Sequence, residues 1–114
     1  MYQLKFNPKQ GLFNFVYSDS DRVVPDGIVL VYAEWCGHCK RFMSTYNEIS
    51  EELQKKGLVA YAINEKILSE QHKETLNVQG YPTIIKISDG QVVSFKQYKG
   101  PRTVQDICQW TMSG

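Results

Sequence analysis

Apolar positions along the chain fall into short continuous runs and one long amphipathic stretch, and the two patterns predict different elements. Gly27 to Trp35, GIVLVYAEW, is rich in β-branched and aromatic residues with no polar alternation before Glu34, which suits a central strand covered on both faces. After Cys39 the spacing becomes helical. Phe42, Met43, Tyr46, Ile49 and Leu53 form one stripe, Glu51 and Glu52 precede Lys55 and Lys56 by one turn, and Gly57 is the stop. Leu58 to Ile63, LVAYAI, reads as a second buried strand, so strand, helix and strand form a unit with parallel strands and a right-handed crossover.

Glu65 to Leu76 is polar and weakly patterned, and a helix is expected there. Beyond GYP, Thr83 to Ile87 and Val92 to Gln97 read as two strands joined by Ser88-Asp89-Gly90, a hairpin signal. A last helix is expected from about Pro101 to Met112, opened by the proline and carrying Val104, Ile107, Cys108 and Thr111 on one face. Near the start, Tyr2 to Phe6 alternates like a strand, while Leu12 to Tyr17 fits helix or strand. No repeat, low-complexity tract or linker interrupts the pattern. Residues 1–114 are therefore expected to form one α/β domain, a mixed central sheet with helices on both faces.

Composition narrows the function classes. The chain is 42% hydrophobic and 22% charged with a formal net charge of +1, and its lysines and glutamates are interleaved rather than blocked. Neither nucleic acid nor an anionic membrane surface is suggested as a partner. No apolar run approaches a membrane span, MYQLKFNPKQ lacks the features of a secretory signal, and QWTMSG is not a retention tetrapeptide. A soluble monomer is the expectation. Three cysteines, Cys36, Cys39 and Cys108, make an odd count that suits one pair and one bystander, not a disulfide framework.

The chemistry sits in Trp35-Cys36-Gly37-His38-Cys39-Lys40, where a buried strand hands over to an amphipathic helix. A thiol at a helix start feels the partial positive charge of unpaired N–H groups, which favours thiolate and makes Cys36 the expected nucleophile. Cys39, one turn later, is close enough to close a small disulfide and would resolve a mixed disulfide between Cys36 and a substrate. His38 can carry charge and donate toward the Cys36 sulfur, which would stabilise the reduced form and make the disulfide more oxidising. In GYPTI, Tyr81 and Pro82 shape a turn whose backbone groups could pair with an extended peptide if their bond is cis.

A zinc site using His38, His72 or Cys108 is the competing reading. Typical sites combine two Cys-X-X-Cys pairs and this chain has one, so no metal and no external cofactor is expected. Cys108, beside Val104 and Ile107, reads as a packed core thiol. His72 reads as a solvated surface residue, and Trp110 as packing or rim.

VYAEWCGHCK, GYPTI and YKGPR together resemble the thioredoxin superfamily, and more closely a catalytic domain of protein disulfide isomerase, from about Gly27 to the C-terminus. The resemblance implies a thioredoxin-like fold. It makes Cys36 the attacking thiol, Cys39 the buried resolving thiol, Pro82 the cis-proline, and Trp35, Gly37 and Tyr81 part of the substrate surface. Arg102 matches the isomerase arginine that lowers the pKa of the second cysteine. Two departures stand out. The family's buried acid, six residues before the first cysteine, is Leu30 here, and the lysine that often pairs with it falls at Tyr61. Proton transfer from Cys39 would then use water, Glu34, or the charge of Arg102.

The sequence thus implies thiol–disulfide exchange on protein cysteines, tilted toward oxidase or isomerase by His38. Alternatives are a thioredoxin-like reductant recharged by a thioredoxin or glutathione system, and a redox-inactive adaptor that holds unfolded clients around Trp35 and Tyr81. The compartment is left open between the cytoplasm, a viral or virion origin included since some large cytoplasmic DNA viruses encode proteins that resemble this one, and a lumen reached by a signal since removed.

Overall fold

Ile28, Val29, Leu30 and Val31 have no exposed surface, because the strand that holds them lies inside the sheet and is covered on both sides. The computed structural model describes residues 2–6, 15–17, 26–88 and 91–113. In chain order the elements are β1 (Tyr2–Phe6), β2 (Phe15–Tyr17), β3 (Gly27–Tyr32), α1 (Gly37–Lys55), β4 (Val59–Asn64), α2 (Glu70–Thr75), β5 (Thr83–Ser88), β6 (Gln91–Gln97) and α3 (Val104–Met112). A 3-10 turn, Glu65–Ile67, links β4 to α2.

Among the described residues the strands form one mixed sheet in the order β2-β1-β4-β3-β5-β6. β3 runs parallel to β4 and antiparallel to β5, as the strand–helix–strand unit and the hairpin require. β1 adds beside β4, parallel to it. Gly27 lets β3 and β4 start side by side, since a Cβ there would stand 1.7 Å from the Val59 carbonyl oxygen.

The two faces bury different sets of side chains. α1 and α3 cover one, where Ile28, Leu30, Phe42, Tyr46, Ile49, Leu53 and Ile107 meet. On the other, Val29, Val31, Tyr61, Ile63, Leu68, Leu76, Ile85 and Ile87 pack beneath the segment that carries α2. The α/β expectation with helices on both faces is met, and Cys108 packs in the α1–α3 layer as expected.

Several boundaries differ. β3 ends at Tyr32 rather than Trp35, because the amide of Cys36 turns back to the Ala33 carbonyl at 3.1 Å. α1 begins at Gly37, so the helix starts ahead of its apolar stripe and the cysteine motif forms its first turn, as the reading of Cys36 at a helix start expects. Gly57, at φ +77°, closes that helix. α3 starts at Val104, not near Pro101, because Thr103 caps it by accepting from the Asp106 amide at 3.1 Å. The helix expected over 65–76 divides into the 3-10 turn and a short α2 whose capping box pairs Ser69 with His72. His72 is thus a structural cap rather than a merely solvated residue: its amide donates to Ser69 Oγ and its ring Nδ1 accepts from the Ser69 amide. In the segment expected as helix or strand, 15–17 is strand and 12–14 lies outside the described residues, as do Asp89 and Gly90 of the hairpin turn.

Candidate active site

Cys36 is the N-cap of α1, with extended backbone and no side-chain capping bond while its thiol is protonated. The amides of Cys39 and His38 are turned toward its sulfur. Hydrogen bonding from the Cys39 amide is the largest influence holding the Cys36 thiol below its ordinary value, with the His38 amide and the Arg41 charge adding to it. An ionised sulfur would thus supply the missing cap of the helix. In the dithiol form present here, the Cys36 thiol donates to the carbonyl of Tyr81 at 3.6 Å. Thiolate and carbonyl are both acceptors, so that contact belongs to the protonated state alone.

Cys39 lies one turn on and is more deeply covered, 2% exposed against 9% for Cys36. Burial pushes its thiol above the ordinary value, and the Arg102 guanidinium pulls in the opposite direction. The two sulfurs are therefore split in acidity in the order that attack by Cys36 and resolution by Cys39 need. Both cysteines pack with Ala33, and with Tyr32 and Tyr81 at the rim.

The Tyr81-Pro82 peptide is cis, and the loop it shapes meets the Cys36 sulfur. Trp35 is 68% exposed and stands edge-on to Tyr81, with centroids 5.7 Å apart and planes at 87°. Exposed Gly37 completes the rim in front of Arg41. Cys36, Cys39, His38, Trp35, Gly37, Tyr81 and Pro82 thus come together, and Arg102 reaches Cys39 through its charge.

Three expectations change. The His38 imidazole turns to Arg41, whose Nη2 lies 3.0 Å from Nδ1, so its approach to the Cys36 region is through its backbone amide. Glu34 is exposed and held by Asn64 Nδ2 at 2.8 Å and Lys66 Nζ at 3.1 Å. Its carboxyl is held below the usual range chiefly by the hydrogen bond from Lys66, which makes it a poor base for Cys39. Leu30 and Tyr61 do not form a substituted pair: Leu30 aligns with Ala62 and packs against the α1 layer, whereas Tyr61 aligns with Val29 on the opposite face. The buried polar group near Leu30 is the hydroxyl of Tyr46, which donates to the Tyr61 carbonyl at 2.6 Å. Its phenol is pushed well above the ordinary value by burial.

Arg41 and the Glu65–Lys73 pair are the site residues that sequence reasoning missed. Lys73 Nζ lies 2.9 Å from Glu65 Oε2, with both side chains largely covered. That hydrogen bond is the main cause holding the Glu65 carboxyl below its usual range, and the Trp35 side chain adds a smaller one. Arg41 could have been found from its position three residues after His38 on a helix. No described cluster of three or more His, Cys, Asp or Glu is arranged to hold a metal ion.

An N-cap cysteine, a buried partner one turn on and a cis-proline loop beside the first sulfur define a domain of thioredoxin fold with a paired-thiol site. The thioredoxin family model matches residues 12–113, and the chain belongs to that family. It is 30% identical to protein disulfide-isomerase of Saccharomyces cerevisiae over 110 residues, 89% of this chain and 20% of that one. It is 33% identical to protein disulfide-isomerase A3 of Gallus gallus over 85 residues, 75% of this chain and 17% of that one. The first thioredoxin domain of mouse protein disulfide-isomerase A4 superposes with a TM-score of 0.61 at 29% identity, covering 77% of this chain and 64% of that one. The chain thus spans 20% or less of the length of these two curated relatives.

Proposed function

We propose that this domain exchanges disulfides with protein cysteines and is biased toward donating and rearranging them. The observation that carries the reading is the placement of its sulfurs, Cys36 at the N-cap of α1 beside the cis-proline loop, where helix amides favour its thiolate, and Cys39 one turn on and more deeply buried, where burial favours the thiol. In the reducing direction the Cys36 thiolate attacks one sulfur of a client disulfide, forming a mixed disulfide and releasing the other client sulfur as a thiolate that takes up a proton. Cys39 then loses its proton with help from the Arg102 charge and attacks the Cys36 sulfur. The client leaves as a dithiol and the domain becomes a disulfide, two electrons having passed to the client. Oxidation runs the same steps backward.

A stabilised Cys36 thiolate favours the reduced domain and hence disulfide donation. The test is the equilibrium reduction potential of the pair against glutathione, followed by Trp35 fluorescence in a Cys108→Ser background. A value near −180 mV, roughly that of protein disulfide isomerase, supports the bias, and one near −270 mV, roughly that of thioredoxin, makes the domain a reductant. A Cys39→Ser variant should also accumulate covalent client complexes through Cys36, and an adaptor would give none.

A further inference from the structure

Residues 79–82 form a ridge that meets the redox site where the Cys36 thiol donates to the Tyr81 carbonyl. A groove of about 320 Å³ lies along one flank, between the ridge and residues 97–102. Its charged lining side chains are Lys99 and Arg102, and among the described residues no carboxylate lines it. A second groove, of about 430 Å³, lies along the other flank toward α2, and its charged lining residues are Glu70, Lys73 and Glu74. The lysine of this second groove is already engaged, 2.9 Å from Glu65 and 3.6 Å from Glu70. Glu74, Lys99 and Arg102 have no ion-pair partner among the described residues. Among the described residues the flanks therefore carry opposite uncompensated charge, Lys99 and Arg102 on one side and Glu74 on the other.

Side-chain bonds fix the walls. Thr83 Oγ1 donates to the Gly80 carbonyl at 2.7 Å and ties the ridge to β5. Gln97 Nε2 donates to the carbonyls of Leu76 at 2.9 Å and Asn77 at 2.8 Å, which ties the end of β6 to the segment leading into the ridge. The Tyr98 hydroxyl donates to the Pro101 carbonyl, closing the turn that presents Lys99.

The geometry points to a charge-reading client surface in two halves. A polypeptide laid across the ridge with its cysteine at Cys36 places an acidic residue against Lys99 and Arg102 and a basic residue against Glu74. This rests on the exchange reading above. It assigns specificity to residues on either side of the client cysteine and not to the cysteine itself. Exposed charge pairs are individually weak and screened by salt, so the preference is a matter of several-fold at low ionic strength.

The test uses synthetic peptides whose single cysteine is joined by a disulfide to 2-mercaptoethanol, with Glu on one side and Lys on the other, in both orders, and a neutral control. The reduced domain takes up each peptide through Cys36 and releases it as a thiol, becoming a disulfide as 2-mercaptoethanol leaves as a thiol. Single-turnover rates with the wild-type chain should differ by about three- to tenfold between the two orders, and the ratio should fall toward one in about 1 M salt. Lys99→Glu and Glu74→Lys should each reduce or invert the ratio. Equal rates for the two orders, or a ratio that neither variant changes, would overturn the assignment while leaving exchange intact. Failure of the wild type to react with any peptide, the neutral one included, would overturn the exchange reading and this inference with it.

Discussion

Arg41 Nη2 stands 3.0 Å from Nδ1 of His38 on the first turns of α1. A guanidinium has donors only, so in this contact Arg41 donates and the His38 ring accepts at Nδ1, which turns the imidazole toward Arg41. The side-chain charge that favours the Cys36 thiolate is then that of Arg41.

Replacing Arg41 by Gln should lower the thiolate fraction of Cys36 near neutral pH about threefold at low salt, and less at high salt, as expected of an exposed charge. His38→Ala should change it less. Ultraviolet thiolate absorbance across a pH series, in a Cys39→Ser background, measures both, and the opposite ranking would return the charge to His38.

Stability of the reduced domain should rise with pH and then fall. Cys36 has its pKa depressed in the folded chain, so the native state binds fewer protons than the unfolded one between that depressed value and the ordinary thiol value, about 8.5. Its contribution is fully present above about 8.5 and is lost as pH falls through the folded value. Cys39 and Cys108 are raised by burial, so their contribution has the other sign and is lost as pH rises past about 8.5. Urea midpoints of the reduced protein across this range should show the rise, and Cys36→Ser should abolish it while leaving the fall.

Leu30→Glu should speed the release of clients from Cys36 mixed disulfides about tenfold by giving the Cys39 region a buried base, less than the roughly hundredfold or more of an evolved general base. It should also cost about 3 kcal/mol of stability, since Leu30 is 0% exposed and its neighbours are apolar. Stopped-flow release and urea denaturation separate the two effects. A rate that stays the same or falls in the folded variant counts against the missing acid as the limit on resolution.

Tyr46→Phe should cost roughly 1–2 kcal/mol, because it removes a buried donor from the Tyr61 carbonyl while keeping the ring. The reduction potential should stay unchanged. A shifted potential would show that the α1 layer communicates with the sulfurs through this hydroxyl.

The sequence disclosed what depends on periodicity and spacing, and little of what depends on contacts between distant elements. The stripe Phe42, Tyr46, Ile49 and Leu53 announced α1 because each side chain faces one sheet surface. Cys36, Cys39 and Pro82 were legible because a helix start, one turn and a pre-strand proline are local signals. Lys73 meeting Glu65 was not, since the ions sit on separate short elements and no repeat joins them. The supposed pairing of Leu30 with Tyr61 failed for a related reason: side chains alternate across a strand, so an offset of one residue sends the partner to the other face. α2 was weakly patterned because its six residues owe their start to the Ser69–His72 capping box more than to an apolar stripe.

Because Cys36 is the N-cap residue of α1 and its ionised sulfur would face the helix amides, oxidation and folding form one thermodynamic cycle. Closing the disulfide would remove the anion that faces the helix amides, so that one contribution to stability is absent whenever the domain stores a disulfide. Whatever α1 loses in that state is returned when the disulfide passes to a client. The first turn of α1 is therefore a spring loaded by electron withdrawal, and amide exchange there should be faster in the oxidised domain than in the reduced one.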